Sequence, residues 1–461
     1  MTLKNPLLVP ELQELIAAGD AQALKTFCKT GHPAVVAELI SALPGKDAWA
    51  VLRHADFPLR SEIFSHMDED LQIEIIGSLQ RMDIARLLSD MPPDNRADLF
   101  KELPEEMQES VLPALAQAER EDIRRLTAYA EGTAGAVMTS DYATLPPHLT
   151  ASQAIDHLRK VAPDKETIYS AYVVDEGRRL QGFVSLKELI IARKDALIKD
   201  IMHPEVIFAR VGDDQEEAAR KIQKYDLLAL PIINGGDTLV GIITHDDALD
   251  IITQEQTEDM EKLMAIAGSH EAGVYMKTSA WEHLRNRSPW IVMLAFLGMV
   301  SGYIVQSYEG LLLQFAILAT FMPMLADTGG NTGSQAAALI IRALALKEVS
   351  PRDILGILFK EFHVAFVLAL MLGLVAFGRV FFFGGNSASA GSHSLLTIGF
   401  AIAIALGLQV ISATMIGVLL PMFAALLKKD PAVIASPALT TIVDITGLLI
   451  FFTTIKLMLG I

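Results

Sequence analysis

The feature that most constrains this 461-residue chain is a series of long apolar runs confined to its last 180 residues or so. Each run is long enough to supply the roughly 20 helical residues that cross the hydrocarbon core of a bilayer. Because soluble domains rarely contain such runs, we expect an all-α membrane domain inserted in a lipid bilayer. The pattern predicts five membrane-spanning helices, at about 289–308, 311–341, 354–378, 395–427 and 432–459.

Charged residues are divided unevenly between the two ends of the chain. The whole chain carries a formal charge of −17, and residues 281–461 contain ten Lys or Arg and eight Asp or Glu. The first 280 residues therefore hold 47 acidic and 28 basic side chains, a charge of −19. This balance argues against nucleic acid or anionic lipid headgroups as partners of that part. It is compatible with plain solubility or with a cation-responsive surface.

The basic residues of the apolar part predict its orientation, because Lys and Arg favour cytoplasmic loops. They cluster before the first span and in the second and fourth connections, whereas the other connections have Arg379 as their strong cation. No signal peptide is recognisable at the start of the chain. We therefore expect a multi-pass protein of the cell inner membrane with a cytoplasmic N-terminal part and with Ile461 outside.

The first part of the chain, residues 1–132, has the pattern of short amphipathic helices. Apolar positions recur at helical spacing in segments of about a dozen residues, and Pro92, Pro93 and Pro104 mark new helix starts. A helix of three turns cannot bury its apolar face alone. The segments are therefore expected to stack into a superhelical N domain.

An internal repeat follows. VMTSDYATLPPHLTASQAIDHLRK is matched 64 residues later by IMHPEVIFARVGDDQEEAARKIQK, and AYVVDEGRRLQGFVSLKELI is matched by ALPIINGGDTLVGIITHDDAL. Each copy is predicted to run strand, helix, strand, turn, strand, helix. The two copies, 133–198 and 199–254, resemble paired cystathionine-β-synthase (CBS) domains of α/β fold. A long charged connecting helix over 255–284 is predicted to lead into a transmembrane domain, 285–461.

The most informative single residue of the apolar part is Asp444. It lies 14 residues after Asp430, or about 21 Å along a helix, and so well inside an apolar span. An ionised carboxylate there is costly, and such residues usually face a polar cavity or an ion path. A hydrogen-bonded aspartate at a helix contact is the structural alternative.

The second predicted span is unusually polar, with the sequence FMPMLADTGGNTGSQAAALIIRAL. Pro323, Gly329, Gly330 and Gly333 are expected to break or bend this helix and free backbone carbonyls. Close helix packing through small residues is an equally open interpretation. The polar side chains are oxygen ligands without a His or Cys cluster, which suits Mg2+ better than zinc or copper. The single cysteine, Cys28, excludes an internal disulfide.

PMLADTGGNTGSQAAALIIRALAL, DPAVIASPALTTIVDITGLL and the order of domains together resemble the MgtE family of magnesium channels. The resemblance implies a homodimer whose pore is formed by the second and fifth spans. It also implies that Asp444 binds hydrated Mg2+, that Asn331 lies beside it in the pore, and that Asp430 lies at the cytoplasmic mouth.

The same resemblance implies regulatory Mg2+ between the cytoplasmic domains. The matching carboxylates are Glu62, Asp94, Asp98, Asp214, Glu216, Asp226, Asp247, Glu255, Glu258 and Asp259. Exposed acids on helices are more often only solvated, so spacing alone does not assign these residues. Many family members have a further carboxylate two positions beyond Glu216, where this chain has Ala218.

CBS pairs frequently bind adenine nucleotides, and the resemblance extends to ATP bound between the copies. Tyr172, Ser185 and Lys187 are the candidate residues, and a purely structural CBS pair is the alternative. The chain contains no P-loop motif, so neither ATP hydrolysis nor another enzymatic activity is expected.

The resulting expectation is a Mg2+ channel that imports magnesium down the membrane potential and is closed by cytoplasmic Mg2+. Two other classes compete with it. One is a secondary transporter that exports Mg2+ or Co2+ in exchange for Na+ or H+. The other is a membrane-anchored nucleotide sensor that conducts nothing.

Overall fold

The computed structural model describes residues 9–264, 266, 278–383 and 393–461, apart from the side chains at 164, 263 and 433–438. The chain divides into two compact units, Met1–Glu255 and Gln256–Ile461. The boundary between the units falls within a single helix.

The first unit begins with a stack of short helices around one apolar core. Local signals start several of them: Asp20 accepts a hydrogen bond from Ala23 N at 3.0 Å, and Pro93 occupies the first turn of its helix. Phe64, Ile75 and Leu88 are fully buried in the core, which confirms the amphipathic pattern. The helices are α1 (Val9–Ala18), α2 (Ala21–Thr30), α3 (Pro33–Ile40), α4 (Gly45–Leu52), α5 (Phe57–Ser65), α6 (Glu69–Gly77), α7 (Arg81–Ser89), α8 (Pro93–Glu102), α9 (Glu105–Val111) and α10 (Gln117–Leu126).

The repeat forms two similar α/β modules, each with a three-stranded sheet. In each sheet a parallel pair of strands is followed by an antiparallel pair, in the order β1-β2-β3 and β4-β5-β6. The elements are β1 (Tyr142–Leu145), α11 (Ala151–Val161), β2 (Thr167–Val174), β3 (Leu180–Ser185), α12 (Leu186–Ile191), α13 (Ile198–Ile201), β4 (Ala209–Arg210), α14 (Gln215–Tyr225), β5 (Ala229–Ile233), β6 (Leu239–Thr244) and α15 (His245–Leu263).

The two modules exchange strand-like contacts. Thr139, at the start of the first module before β1, pairs with Ile242 in β6, and His203, at the start of the second module before β4, pairs with Phe183 in β3. The reciprocal pattern gives the modules an approximate two-fold relationship. This part of the fold agrees with the CBS-pair prediction.

The connecting helix differs from the prediction. We predicted one helix over 255–284, but α15 begins at His245 and ends at Leu263, and the next helix begins at Ala280. The CBS module therefore supplies the start of α15, because no helix-breaking residue follows β6. Residues 265 and 267–277 of the predicted helix lie outside the described residues.

The second unit is a bundle of long helices. They are α16 (Ala280–Ser307), α17 (Glu309–Gln314), α18 (Met322–Ala345), α19 (Ile354–Phe383), α20 (Leu395–Leu426) and α21 (Pro431–Leu459). Among the described residues, four helical segments are long and apolar enough to cross a membrane: Ala280–Ser307, Pro351–Phe383, Leu395–Leu426 and Leu439–Leu459. The helix α18 is of similar length but more polar, and it packs against α20 and α21.

The break in the second predicted span lies before the glycines. A 3₁₀ segment, Ala316–Phe321, precedes α18, and α18 runs unbroken through Gly329, Gly330 and Gly333. The prediction of a break at these glycines is therefore wrong. Gly333 packs against the carbonyl of Ala413 on α20, and a side chain at Gly417 would overlap the Gly333 backbone. The glycines allow close helix packing, the other interpretation of the sequence.

Large apolar side chains cover the outside of the bundle on α16 and α19. Phe296, Tyr303, Phe359 and Leu374 are each at least 67% exposed. A soluble surface would not carry this many contiguous apolar side chains. Lipid is the medium that matches them.

Candidate functional site

The helix α18 has two faces of opposite character. One face, with Leu325, Gly329 and Gly333, is buried against the bundle. The other carries Asp327, Asn331 and Gln335 at a spacing of four residues, and all three are exposed. The Asn331 amide donates to Asp327 Oδ1 at 3.0 Å, so the two side chains hold each other on this face. A polar stripe in an apolar unit implies contact with water, ions or another polar surface.

Asp444 lies on the neighbouring helix α21. Its side chain is half-buried, and Val443 beside it contacts the glycine face of α18 at Gly329 and Gly333. The Thr446 hydroxyl donates a hydrogen bond to the backbone carbonyl of Ile442 at 2.7 Å. Asp444 is thus a partly accessible carboxylate next to α18, within an apolar helix.

Sequence reasoning missed Gln409 on α20. This side chain is only 2% exposed and donates from Nε2 to the carbonyl of Leu325 at 3.2 Å. It lies against Gly329 of α18 and Gly447 of α21. Among the described residues its Oε1 has no hydrogen-bond partner. A lone glutamine in an apolar span was the available signal, and here it connects three helices.

Asp430 is the N-cap residue of α21, and both of its carboxylate oxygens accept hydrogen bonds. One carboxylate oxygen caps the helix by accepting from Ala432 N at 2.8 Å, and the other accepts from Lys262 Nζ at 3.0 Å. Lys262, in the last turn of α15, also pairs with Glu258 at 2.8 Å. Burial lowers the pKa of Lys262, but the hydrogen bonds to Glu258 and Asp430 outweigh it and hold the pKa above its ordinary value. The Lys262 ammonium group thus binds the carboxylate that we predicted to lie at the cytoplasmic mouth of the pore.

In the first unit, Asp94 is the carboxylate in the most unusual environment. It lies in the first turn of α8, and among the described residues its buried Oδ1 has no hydrogen-bond partner. Burial, and then the nearby Asp247 and Glu166 carboxylates, raise the pKa of Asp94 to about 7. Burial also raises the pKa of Asp247 and that of Glu166. Glu166, in the bend before β2, was not among the predicted residues.

The other predicted regulatory carboxylates are scattered and mostly have local partners. Asp98 pairs with Lys101 at 2.8 Å, so it does not share the surroundings of Asp94. Asp214 caps α14 and Glu216 pairs with Arg220. Among the described residues, no three His, Cys, Asp or Glu side chains come together as a metal cluster. Of the remaining predicted residues, Glu62, Asp226 and Glu258 are exposed, Asp259 is half-buried, and Glu255 accepts from Gln215 at 2.6 Å.

Two further sequence expectations change. Ala218 is fully buried in the apolar core around α14, so a carboxylate at that position would not reach a surface ion. Tyr172 is also buried, and its hydroxyl donates to the carbonyl of Ala229 at 3.1 Å. Its side chain therefore presents little accessible surface to a nucleotide in this structure. Ser185 is bonded to Glu188 in a helix cap, and Lys187 is exposed.

The Asp94 region still fits a divalent cation in its chemistry. The charge of Asp94 is opposed by the Asp247 and Glu166 carboxylates, although the three do not form a preassembled metal cluster among the described residues. Positive charge would stabilise the unpartnered, buried Asp94 oxygen, and hard oxygen donors suit Mg2+. Two or three carboxylates leave room for several waters, which Mg2+ usually keeps. Asp214 and Glu216 at α14 have partners within the chain, so neither carboxylate needs a bound cation in the same way.

Comparison with known proteins covers nearly the whole chain. A family of divalent cation transporters matches residues 322–454, the MgtE intracellular N domain matches 31–132, and CBS domains match 134–195 and 198–254. Two solved structures resemble the first unit. The soluble part of a magnesium transporter is 31% identical, with a TM-score of 0.51 over 53% of this chain and 97% of that chain. The cytosolic domain of an MgtE Mg2+ channel in complex with ATP is 35% identical, with a TM-score of 0.49 over 52% and 98%.

Two relatives match over nearly their full length. The magnesium transporter MgtE of Thermus thermophilus is 35% identical over 456 residues, which are 98% of each chain. The magnesium transporter MgtE of Bacillus subtilis is 31% identical over 95% of this chain and 94% of its own. These relatives are named for a transport activity, which is not enzymatic. The chain therefore belongs to the MgtE family of magnesium transporters.

Proposed function

We propose that this protein is a homodimeric, Mg2+-selective channel that imports magnesium and is closed by cytoplasmic Mg2+. The observation that carries the proposal is the exposed stripe of Asp327, Asn331 and Gln335 on a helix of the membrane unit. Lipid cannot solvate an aspartate, so the stripe requires an aqueous path or a polar partner. A second copy that presents the same face provides both.

In this proposal the permeating ion keeps most of its water. Asn331 and Asp327 offer amide and carboxylate oxygens from α18, and Asp444 offers a carboxylate from α21. Such ligands suit hydrated Mg2+, which dehydrates reluctantly. Two charges crossing 100 mV correspond to about 4.6 kcal/mol, so the membrane potential alone can drive uptake. The N-terminal unit then lies in the cytoplasm and Ile461 outside.

The contact between α15 and α21 supports a gate at the pore mouth. Lys262 places an ammonium group on Asp430, where an entering dication would otherwise be attracted. The bonded state therefore opposes conduction at the mouth. Movement of the end of α15 would separate Lys262 from Asp430. The contact can therefore switch the pore mouth between a state with a paired Asp430 and a state with an unpaired Asp430.

The Asp94 region supports the sensing part of the proposal. Asp94, Asp247 and Glu166 repel one another when they are ionised, and this repulsion opposes the packing of α8 against the CBS pair. A bound Mg2+ would supply two positive charges to offset it. The packed state gathers these carboxylates, so it binds the ion better, and cytoplasmic Mg2+ favours that state by linkage. Carboxylates that already have a local cationic partner, such as Asp98 and Glu216, contribute only to the overall negative electrostatic potential of the first unit.

ATP is a finer part of the proposal, since a relative has been solved with ATP bound. In this chain Lys187 is the exposed candidate for a phosphate contact, whereas the Tyr172 side chain is buried. Modulation by nucleotide is therefore expected to be separable from conduction.

The proposal is tested by Mg2+ flux into proteoliposomes at a fixed membrane potential, with and without Mg2+ on the cytoplasmic face. A potential-driven flux that falls as cytoplasmic Mg2+ rises supports it. Flux of Mg2+ or Co2+ that requires an opposing Na+ or H+ gradient would identify an exchanger instead. A protein that binds nucleotide but gives no flux under either condition would be a sensor.

A further inference from the structure

A polar pocket of about 470 Å³ lies in the first unit, between α10 and the first CBS module. It is separate from the Asp94 carboxylates and from Ser185 and Lys187, none of which line it. The helical domain contributes two side chains and the CBS module the rest. The lining residues are Asp122, Arg125, Ser140, Asp141, Tyr142, Thr144, Lys165, Val174 and Arg178.

Positive donors outnumber carboxylates in this pocket. Arg125 pairs with Asp122 at 2.6 Å, and Lys165 pairs with Asp141 at 3.3 Å. Arg178 instead donates to the Tyr142 hydroxyl at 2.5 Å, and the described part of the chain records no ion pair for it. Three cations therefore meet two anions.

One donor in the pocket is both buried and unused. Arg125 Nε is inaccessible to solvent and has no hydrogen-bond partner among the described residues. The Arg125 side chain as a whole is 40% exposed, so an acceptor from outside the chain would reach the guanidinium through its terminal nitrogens rather than through Nε. Arg125 can therefore donate to an anion in the pocket from its exposed part while it keeps its ion pair with Asp122.

The cations converge on one place. The guanidinium groups of Arg178 and Arg125 both act on the Tyr142 hydroxyl and oppose the effect of burial, which raises the pKa of that group. The positive charge of the buried Arg96 likewise opposes the effect of burial, which raises the pKa of Asp141. This local positive surplus occurs in a part of the chain whose overall charge is strongly negative.

The second CBS module provides an internal control. Arg178 follows a turn in which Asp175 Oδ1 accepts from Gly177 N, and Asp237 follows the same turn built on Asn234 and Gly236. Both residues have a left-handed backbone, with φ of 60° and 58°. At this position the second module carries Asp237, which pairs with Arg210 at 3.1 Å. The equivalent turn is therefore neutralised in the second module.

We propose that this pocket binds a phosphate-bearing anion. Arg125 and Arg178 present guanidinium groups, which match phosphate oxygens in charge and geometry, and Lys165 adds a third positive group. Such an anion would contact α10 and the CBS module together and so stabilise their packing. Its effect on gating rests on the channel proposal, whereas its binding does not.

Binding is tested on the full-length protein in detergent with EDTA, so that phosphate does not act by chelating Mg2+. Inorganic phosphate, pyrophosphate and ATP are titrated calorimetrically at constant ionic strength, with chloride as the control. We expect saturable binding of at least one phosphate compound, weakened roughly 10-fold or more by Arg178→Ala and by Arg125→Gln. Arg210→Ala, which removes the ion-pair partner of Asp237 in the second module, should bind like the wild type. Arg178→Lys keeps the charge and should retain part of the affinity.

Three results would overturn the proposal. The first is no saturable binding by wild-type protein that melts cooperatively. The second is equal weakening by Arg210→Ala, which would indicate general electrostatics. The third is ATP binding that is lost in Lys187→Ala but kept in Arg178→Ala, which would place the anion in the other cleft. Flux measurements on the same preparation report the channel proposal separately, because binding is read without transport.

Discussion

The two units of this protein treat their carboxylates in opposite ways. In the first unit, which has an ordinary charged surface, Asp94 is half-buried, and its buried Oδ1 has no hydrogen-bond partner among the described residues. In the second, which has an apolar surface, Asp327 is exposed and Asp444 is half-exposed. In both units the carboxylates lie in surroundings that destabilise their charge, unless an ion or a polar partner is bound there. The first arrangement suits a sensor whose occupancy changes packing, and the second suits a path through which an ion passes.

The largest effect is expected from the path. Asp444→Asn keeps the volume of the side chain but removes the charge that attracts a dication into a low-dielectric region. Mg2+ flux should fall by about 100-fold or more, while expression and oligomeric state stay normal. The control is Glu348→Gln, an exposed acid in a connection, which should conduct like the wild type. Wild-type flux through Asp444→Asn would separate the membrane carboxylate from conduction.

The next effect concerns the packing that holds the stripe outward. A side chain at Gly329 would overlap the Gln409 amide, so Gly329→Ala should destabilise the membrane unit by about 1–3 kcal/mol. Thermal melting in detergent measures this loss. Gly329→Ala combined with Gln409→Ala removes the overlap and should recover part of the stability. Gly330→Ala is the matched control, since nothing lies near that position. Equal losses at 329 and 330 would contradict the described packing.

A pH effect is expected in the first unit without metal. The folded pKa of Asp94, about 7, lies above the unfolded value near 3.9. The folded state therefore retains a proton that the unfolded chain releases, and stability should be full below about pH 4 and decline as pH rises to 7. Melting in EDTA from pH 5 to 8 should show this decline in wild type and much less of it in Asp94→Asn.

The same variant sharpens the sensing argument. Asp94→Asn should require several-fold more cytoplasmic Mg2+ for inhibition, because it removes a ligand from the packed state. Asp98→Asn, whose partner is Lys101, should change inhibition much less. If Asp94→Asn closes at lower Mg2+ than wild type, repulsion rather than ligation sets the gate.

The smallest effect is expected at the mouth. Lys262→Ala frees Asp430 from its ion pair, and exposed or half-exposed pairs contribute about 1 kcal/mol or less. Flux at inhibiting Mg2+ should rise by a few-fold, with no change when Mg2+ is absent. Lys262→Arg should behave like the wild type. An unchanged inhibition curve for Lys262→Ala would show that the pair does not oppose conduction.

The sequence predicted elements whose signals are local and repeated. The CBS modules followed from a 64-residue repeat, and the apolar spans followed from continuous hydrophobic runs. The position of the break in the second span could not be predicted, because a glycine in the sequence is compatible both with a bend in a helix and with close packing against a neighbouring helix. At Gly333 the decision is made by Ala413 and Gly417 on α20, far away in sequence.

The carboxylates show the same limit. Asp94 and Asp98 are spaced on one helix face, but one is buried beside Asp247 and the other pairs with Lys101. Spacing reports the helix and not what covers it. Glu166 and Gln409 were missed because their importance depends on neighbours from other elements.

The most direct test of the central claim is whether the stripe on α18 faces water inside the bilayer. The single cysteine, Cys28, is buried, and burial raises the pKa of its thiol to about 11, so it should remain unreactive. Asn331→Cys and Gln335→Cys in proteoliposomes should react with a charged, membrane-impermeant thiol reagent, and Mg2+ should slow the reaction. Leu374→Cys, on the lipid-covered face of α19, should not react. If the stripe cysteines are as unreactive as the one at 374, α18 does not line an aqueous path and the channel account is wrong.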